Sequence, residues 1–171
     1  MKIKGDMGTA ATVKYGTMRP VSGEVSEVCL TYRNKVEQSR RRTISHAGDI
    51  AQLVRGLNEM DANVGYRELM YAVYLDSAHS VLAVMKVSEG GLAETLCDVR
   101  MLLQAALLLS ATSFAIVHNH PSGNVVPSTE DRDLADKVRR AAALLDLRLL
   151  DSIIIGDDCR NYCSFRDEGL M

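Results

Sequence analysis

Phe114-Ala115-Ile116-Val117-His118-Asn119-His120-Pro121-Ser122-Gly123-Asn124-Val125-Val126-Pro127-Ser128-Thr129-Glu130-Asp131 carries more information than any other stretch of this chain. Its first four residues are apolar and read as a short buried strand. The two histidines follow at i and i+2, so on extended chain they project from the same face. Their imidazoles can converge on one ion, whereas adjacent histidines would diverge. Pro121, Gly123 and Pro127 turn the chain back, and Asp131 arrives on the first turn of the next helix. Two nitrogens and one carboxylate oxygen make the open three-ligand shell of a catalytic zinc, with water in the fourth place. Such an ion lowers the pKa of its water to about 7. Ser128-Thr129-Glu130-Asp131 also matches a helix capping box, with Ser128 at the N-cap and Asp131 at N3. The box accounts for those two residues without a metal and leaves the two histidines unexplained.

Outward from this stretch the pattern is of mixed strands and helices. On the N-terminal side, residues 98–109 have helix composition and are apolar nearly all round, which predicts a buried helix. The apolar residues around Met70 and Met101 read as core rather than interface. Residues 66–75 are apolar on both faces after their first three positions, as in an interior strand. Asp76-Ser77-Ala78-His79 is a turn and residues 80–87 a second strand, so the pair reads as a hairpin. Ser45 is a candidate N-cap for a helix with Ile50, Leu53, Val54 and Leu57 on one stripe, and Asp49 suits its N-terminus. Val25, Val28, Leu30 and Tyr32 are spaced like a strand. On the C-terminal side, residues 128–145 form a helix with Leu134, Val138, Ala141 and Leu145 on one stripe. Residues 147–155 form a strand, and a last short strand lies near 162–165. Strands with three helices make an α/β or α+β domain, a mixed sheet flanked by helices. Residues 1–23, rich in glycine and without a sustained period, read as a disordered tail, and residues 24–171 as one domain.

The 171 residues suit one domain, and 47% hydrophobic with 25% charged residues excludes a disordered chain, a collagen-like chain and a disulfide scaffold. No stretch reaches the roughly 18 apolar residues of a membrane span, and the N-terminus lacks the apolar core of a secretory signal. A cytoplasmic protein without a membrane partner is the expectation. Cys29, Cys97, Cys159 and Cys163 are then free thiols. Cys159 and Cys163, four apart, invite a metal reading, but no second Cys/His pair stands at matching spacing. The net charge of -2 supplies no global field for nucleic acid. Arg40-Arg41-Arg42 could touch phosphates, but reads first as a solvated loop or strand edge.

His-x-His, seven residues, Ser, two residues, Asp is the motif of the JAMM (MPN+) metalloprotease family. With Pro121-Ser122-Gly123 and Pro127-Ser128 beside it, the stretch resembles the RadC-like branch of bacterial JAB domains. So do Asp76 after a strand, the Ser88-Glu89-Gly90-Gly91 loop, Gln104-Ala105-Ala106-Leu107, Leu150-Asp151 and Ser164-Phe165-Arg166-Asp167-Glu168-Gly169. The resemblance covers roughly residues 45–171. It implies a JAMM/MPN fold in a cytidine-deaminase-like, three-layer arrangement. It implies one Zn2+ per chain on His118, His120 and Asp131, and hydrolysis of an amide bond in a peptide or protein substrate. It further implies that Glu68 is the general base on the metal-bound water and that Ser128 hydrogen-bonds the tetrahedral intermediate. By its local sequence alone Glu68 is equally a surface charge at a strand end.

Two other functions stay open beside this one. The DNA-repair label of RadC proteins implies action on or near DNA. Those proteins typically begin with a helix-hairpin-helix region, and residues 1–44 show nothing similar. The motif also holds ligands for one metal, where phosphodiester cleavage often uses two roughly 3.5–4 Å apart. JAMM-like folds serve as non-catalytic scaffolds too, usually after losing ligands, and here the ligands are intact. Val99 stands where the family often has a proline, which affects a turn preference rather than the site.

Overall fold

The fold is described from a computed structural model covering residues 18–22, 25–28, 36–90, 97–157 and 161–171. Strand β5 (Ser113–Asn119) is the middle of a five-stranded sheet ordered β4-β3-β5-β6-β7. It pairs antiparallel with β3 (Leu69–Leu75) and parallel with β6 (Arg148–Ile155). β4 (Val81–Glu89) and β7 (Tyr162–Ser164) are the antiparallel edges. A parallel pair needs a crossover, and helix α4 (Thr129–Ala143) supplies it between β5 and β6. The mixed α/β sheet expected from the sequence is thus present.

Both faces of this sheet are covered, which is why β3 is apolar throughout and β5 is apolar from Phe114 to Val117. Leu69, Tyr71, Val73 and Leu75 of β3 share one face with Ala115, Val117, Ile153 and Ile155. Helix α1 (Ala47–Arg55) packs there through Ala47, Ile50, Ala51 and Val54, with Met60 of the short helix α2 (Asn58–Asn63). The other face carries Ala72, Tyr74, Phe114 and Ile116, and meets Leu102 and Ala106 of α3 (Val99–Leu108) and Val138 and Ala142 of α4. The result is three layers, as the resemblance implies. Helix α2 was not foreseen, because Leu57 looked like the last apolar position of α1 and instead caps α2.

Helix α3 departs from its reading. Leu102 and Ala106 are fully buried, but Met101 is 49% exposed and Leu107 53% exposed. The helix lies in an outer layer, so only the face toward the sheet is core, whatever the composition of the other. Met70, by contrast, is core as expected. The hairpin forms as read: Asp76 Oδ1 accepts the N–H groups of Ala78 and Ser80, and His79 takes a positive φ of 58° at the turn. α1 begins one residue later than expected, with His46 at the N-cap, and Asp49 accepts the N–H groups of Ser45 and His46. Within the stretch read as a tail, Met18–Ser22 forms strand β1, paired antiparallel with β2 (Val25–Val28) in a separate two-stranded sheet. Residues 1–17 and the strand positions Leu30 and Tyr32 lie outside the described residues, as do Cys29 and Cys159. Cys97 and Cys163 are free thiols.

The motif Leu150-Asp151 and the C-terminal Ser164-Phe165-Arg166-Asp167 meet in space. The buried Asp151 carboxylate accepts the Ser164 hydroxyl (2.6 Å) and the Arg166 N–H (3.1 Å), while Ser164 Oγ accepts Asp167 N–H. This pins β7 to β6. Burial raises the Asp151 carboxyl above its ordinary range, and the hydrogen bonds from Ser164, Arg166 and Ser152 reverse only part of that. A carboxyl whose pKa rises on folding stabilises the fold below its unfolded pKa, and that contribution is lost as pH rises through the folded value. Urea unfolding of wild type and Asp151→Asn across the acid range tests this. The wild-type stability, measured relative to the variant, should fall as pH rises through that window; a difference independent of pH would contradict it.

Candidate metal centre

Alternation along β5 places His118 and His120 on the face covered by α4, and the chain then turns so that α4 starts beside them. His118 Nε2 and His120 Nε2 lie 3.2 Å apart. Asp131 Oδ1 is 2.9 Å from His118 Nε2, and Oδ2 is 3.5 Å from His120 Nε2. One ligand atom from each of the three residues lies within 4.8 Å of the other two, as a shared metal ion requires. His118 is buried, and His120 and Asp131 are half-buried.

The connecting loop is held closed by its own bonds. His120 N–H donates to Ile155 O (3.0 Å) and Gly123 N–H to His120 O (2.9 Å), with Gly123 at a φ of 74° that favours glycine. Asn161 Nδ2 donates to Gly123 O (2.9 Å). His120 Nδ1 lies 2.7 Å from the Asn124 carbonyl, to which it can only donate. That bond fixes the tautomer and leaves the Nε2 lone pair facing the cluster when the ring is neutral. His118 Nδ1 is buried with no hydrogen-bond partner among the described residues.

The capping box and the metal ligand turn out to be one arrangement. Ser128 is the N-cap of α4, its Oγ accepting Asp131 N–H (3.1 Å). Asp131 Oδ2 accepts the Ser128 N–H (2.8 Å) and lies 2.7 Å from Ser128 Oγ. The box therefore holds the Asp131 carboxylate still and turns Oδ1 toward His118. Burial alone would raise the Asp131 carboxyl, but hydrogen bonds from His118 and His120 outweigh it and hold it well below the usual carboxylate range. The bond to Asp131 raises the His120 pKa against burial, and the Asn124 carbonyl and the charges of Asp131 and Glu68 add to it. Two imidazole nitrogens and a carboxylate gathered in a half-buried site can hold a cation among them. This donor set fits a divalent ion of the zinc type.

Glu68 is half-buried and stands immediately before β3. The β3–β5 ladder ends at Met70 and His118, and Glu68, two residues earlier, is near enough for its charge to raise the His120 pKa. Of the five site residues read from the sequence, all fall in this one region. The Ser128 hydroxyl is engaged by Asp131 rather than open to a substrate. Sequence reasoning missed Asn119, Asn124 and Asn161. A backbone carbonyl such as that of Asn124 leaves no trace in the identity of its residue, and Asn119 lay unread inside His-x-His.

Three layers around a mixed sheet, with His-x-His at the end of its middle strand and an aspartate on the following helix, define a JAB-type domain with a candidate metal centre. The family model described as the RadC-like JAB domain matches residues 44–170, and the chain belongs to that family. It is 42% identical over 105 residues to a UPF0758 protein of Porphyromonas gingivalis, covering 61% of this chain and 46% of that one. It is 37% identical to a UPF0758 protein of Burkholderia vietnamiensis, covering 74% and 48% respectively. A UPF0758 protein of Chlorobaculum parvum is 31% identical, covering 81% of this chain and 60% of its own length. The chain thus spans about half the length of the curated relatives it matches. Among the described residues, no helix is long and apolar enough to cross a membrane.

Proposed function

We propose that this domain is a zinc-dependent hydrolase of amide bonds, acting on a peptide, an isopeptide or a protein. The observation that supports it best is the convergence of His118, His120 and Asp131 on one point, with Glu68 in the same region. His118, His120 and Asp131 would hold one ion per chain. When bound, that ion supplies a Lewis acid for the carbonyl and makes hydroxide available near neutral pH. Glu68 accepts the proton of the attacking water, the new C–O bond forms, and the C–N bond breaks as Glu68 returns that proton to the leaving amine. Ser128 stabilises the oxyanion once its hydroxyl turns away from Asp131. Asp131 keeps its orientation during that turn, because the Ser128 N–H still donates to Oδ2.

Screening the zinc-loaded protein against a peptide library tests this reading, with Glu68→Gln as the control. Glutamine keeps the shape and cannot take up a proton. The variant should bind zinc and cleave about 10²–10⁴-fold more slowly, the range that general acid–base groups contribute. Equal cleavage by both proteins would remove Glu68 from the mechanism.

Among the described residues, no observation favours DNA as the substrate. Arg41 pairs with Asp76, Arg42 donates to Gln52 Oε1, and Arg139 and Arg140 both pair with Asp136. Arg41 and Arg42 of the cluster read from the sequence, and the neighbouring pair Arg139 and Arg140 on α4, are therefore engaged within the chain.

A further inference from the structure

We propose that Asn119, the residue between the two histidines, is a positioning residue that sets where the Glu68 carboxylate stands. This rests on the reading of Glu68 as the proton acceptor. Strand alternation turns Asn119 away from His118 and His120, onto the face covered by α1, where it is fully buried. Its carboxamide has both donor hydrogens and its acceptor engaged there. Nδ2 donates to the carbonyls of Val64 (2.8 Å) and Arg67 (2.9 Å), and Oδ1 accepts the N–H of Leu69 (2.8 Å). These partners are backbone groups on either side of Glu68.

The bonds lie where the sheet gives out. The ladder between β3 and β5 ends at Met70 and His118, so from residue 69 backward the asparagine side chain takes the place of strand pairing. The Glu68 carbonyl is itself held from the other side by the N–H of Gly90 (2.9 Å). Residues 67–69 are thereby fixed to the strand that carries His118 and leads directly into His120. The proton acceptor and two metal ligands share one rigid reference, and misplacement of such a group by about 1 Å can cost roughly a hundredfold in rate. The side chain is also specific: aspartate has no donor for the two carbonyls, and an apolar residue would leave three buried backbone groups unpaired.

A double-mutant cycle on zinc affinity, read by competition with a chromophoric chelator, tests this without a substrate. The full chain is used as wild type, Glu68→Gln, Asn119→Ala and the double variant. Loss of the Glu68 charge should weaken Zn2+ binding roughly tenfold in the wild-type background, as outer-sphere partners do. In the Asn119→Ala background the same change should cost less than about twofold. Hydrogen exchange should accelerate at the Leu69 amide while residues 113–117 of β5 keep their protection. An equal effect of Glu68→Gln in both backgrounds, or unchanged exchange at Leu69, overturns the inference and leaves the metal reading intact. Wild type that binds zinc no better than Glu68→Gln overturns this inference alone, whereas wild type that binds no zinc overturns the proposed function and this inference with it. If Asn119→Ala does not fold, Asn119→Ser, too short to reach all three partners, takes its place in the same cycle.

Discussion

Asp131→Asn is expected to lower zinc affinity at least about a hundredfold, the upper end of what losing an outer partner of a ligand costs. The fold should survive the change. The amide oxygen of the variant can take the place of Oδ2, still accepting the Ser128 N–H and so preserving the helix cap. The amide nitrogen then stands where Oδ1 faces His118 Nε2 at 2.9 Å in the wild type. A donor in that position satisfies the imidazole lone pair and cannot ligate a cation. Capping residues are worth about 1 kcal/mol, so urea unfolding of metal-free protein should shift by no more than that. Calorimetric titration with Zn2+ reads the affinity. Zinc binding at the wild-type level would mean that Asp131 is a cap and nothing more.

The second large effect is on the frame that carries the histidines. Phe114 is fully buried at the start of β5, under Ala106 of α3 and Val138 of α4, with its ring centroid 6.0 Å from that of Tyr74. Phe114→Ala leaves a cavity between sheet and helices and is expected to destabilise the protein by about 3–5 kcal/mol. Domains of this size have only about 5–15 kcal/mol in hand, so much of the variant population unfolds in mild denaturant. Zinc binding should weaken in proportion to the folded fraction. Leu144, 87% exposed just after α4, is the control: its change to alanine should stay within about 0.5 kcal/mol. A small loss at Phe114, measured by urea unfolding, would contradict the assignment of this face as core.

The strand-turn-helix core was legible because its signals are local. Four apolar residues before His118, an alternation of two, and Ser128 with Asp131 three apart each follow from backbone geometry alone. The surface of α3 was not legible, since Met101 and Leu102 are equally apolar and only the layer order decides which is covered. Sequence spacing alone offers a cap or a metal ligand at Asp131 as alternatives, but a carboxylate has two oxygens, and here each faces a different task. The bonds of Asn119 to Val64, Arg67 and Leu69 span 50 to 55 positions in sequence. No local pattern reveals such contacts; they emerge only when β3 and β5 pair.

Metal content of tag-free protein, measured by plasma mass spectrometry after incubation with zinc and desalting, tests the central claim most directly. About one zinc per chain is expected in the wild type, with loss in both His118→Ala and Asp131→Asn. Wild-type protein without metal after that treatment would contradict the account, leaving Ser128 and Asp131 as a helix cap and the domain as a binding module.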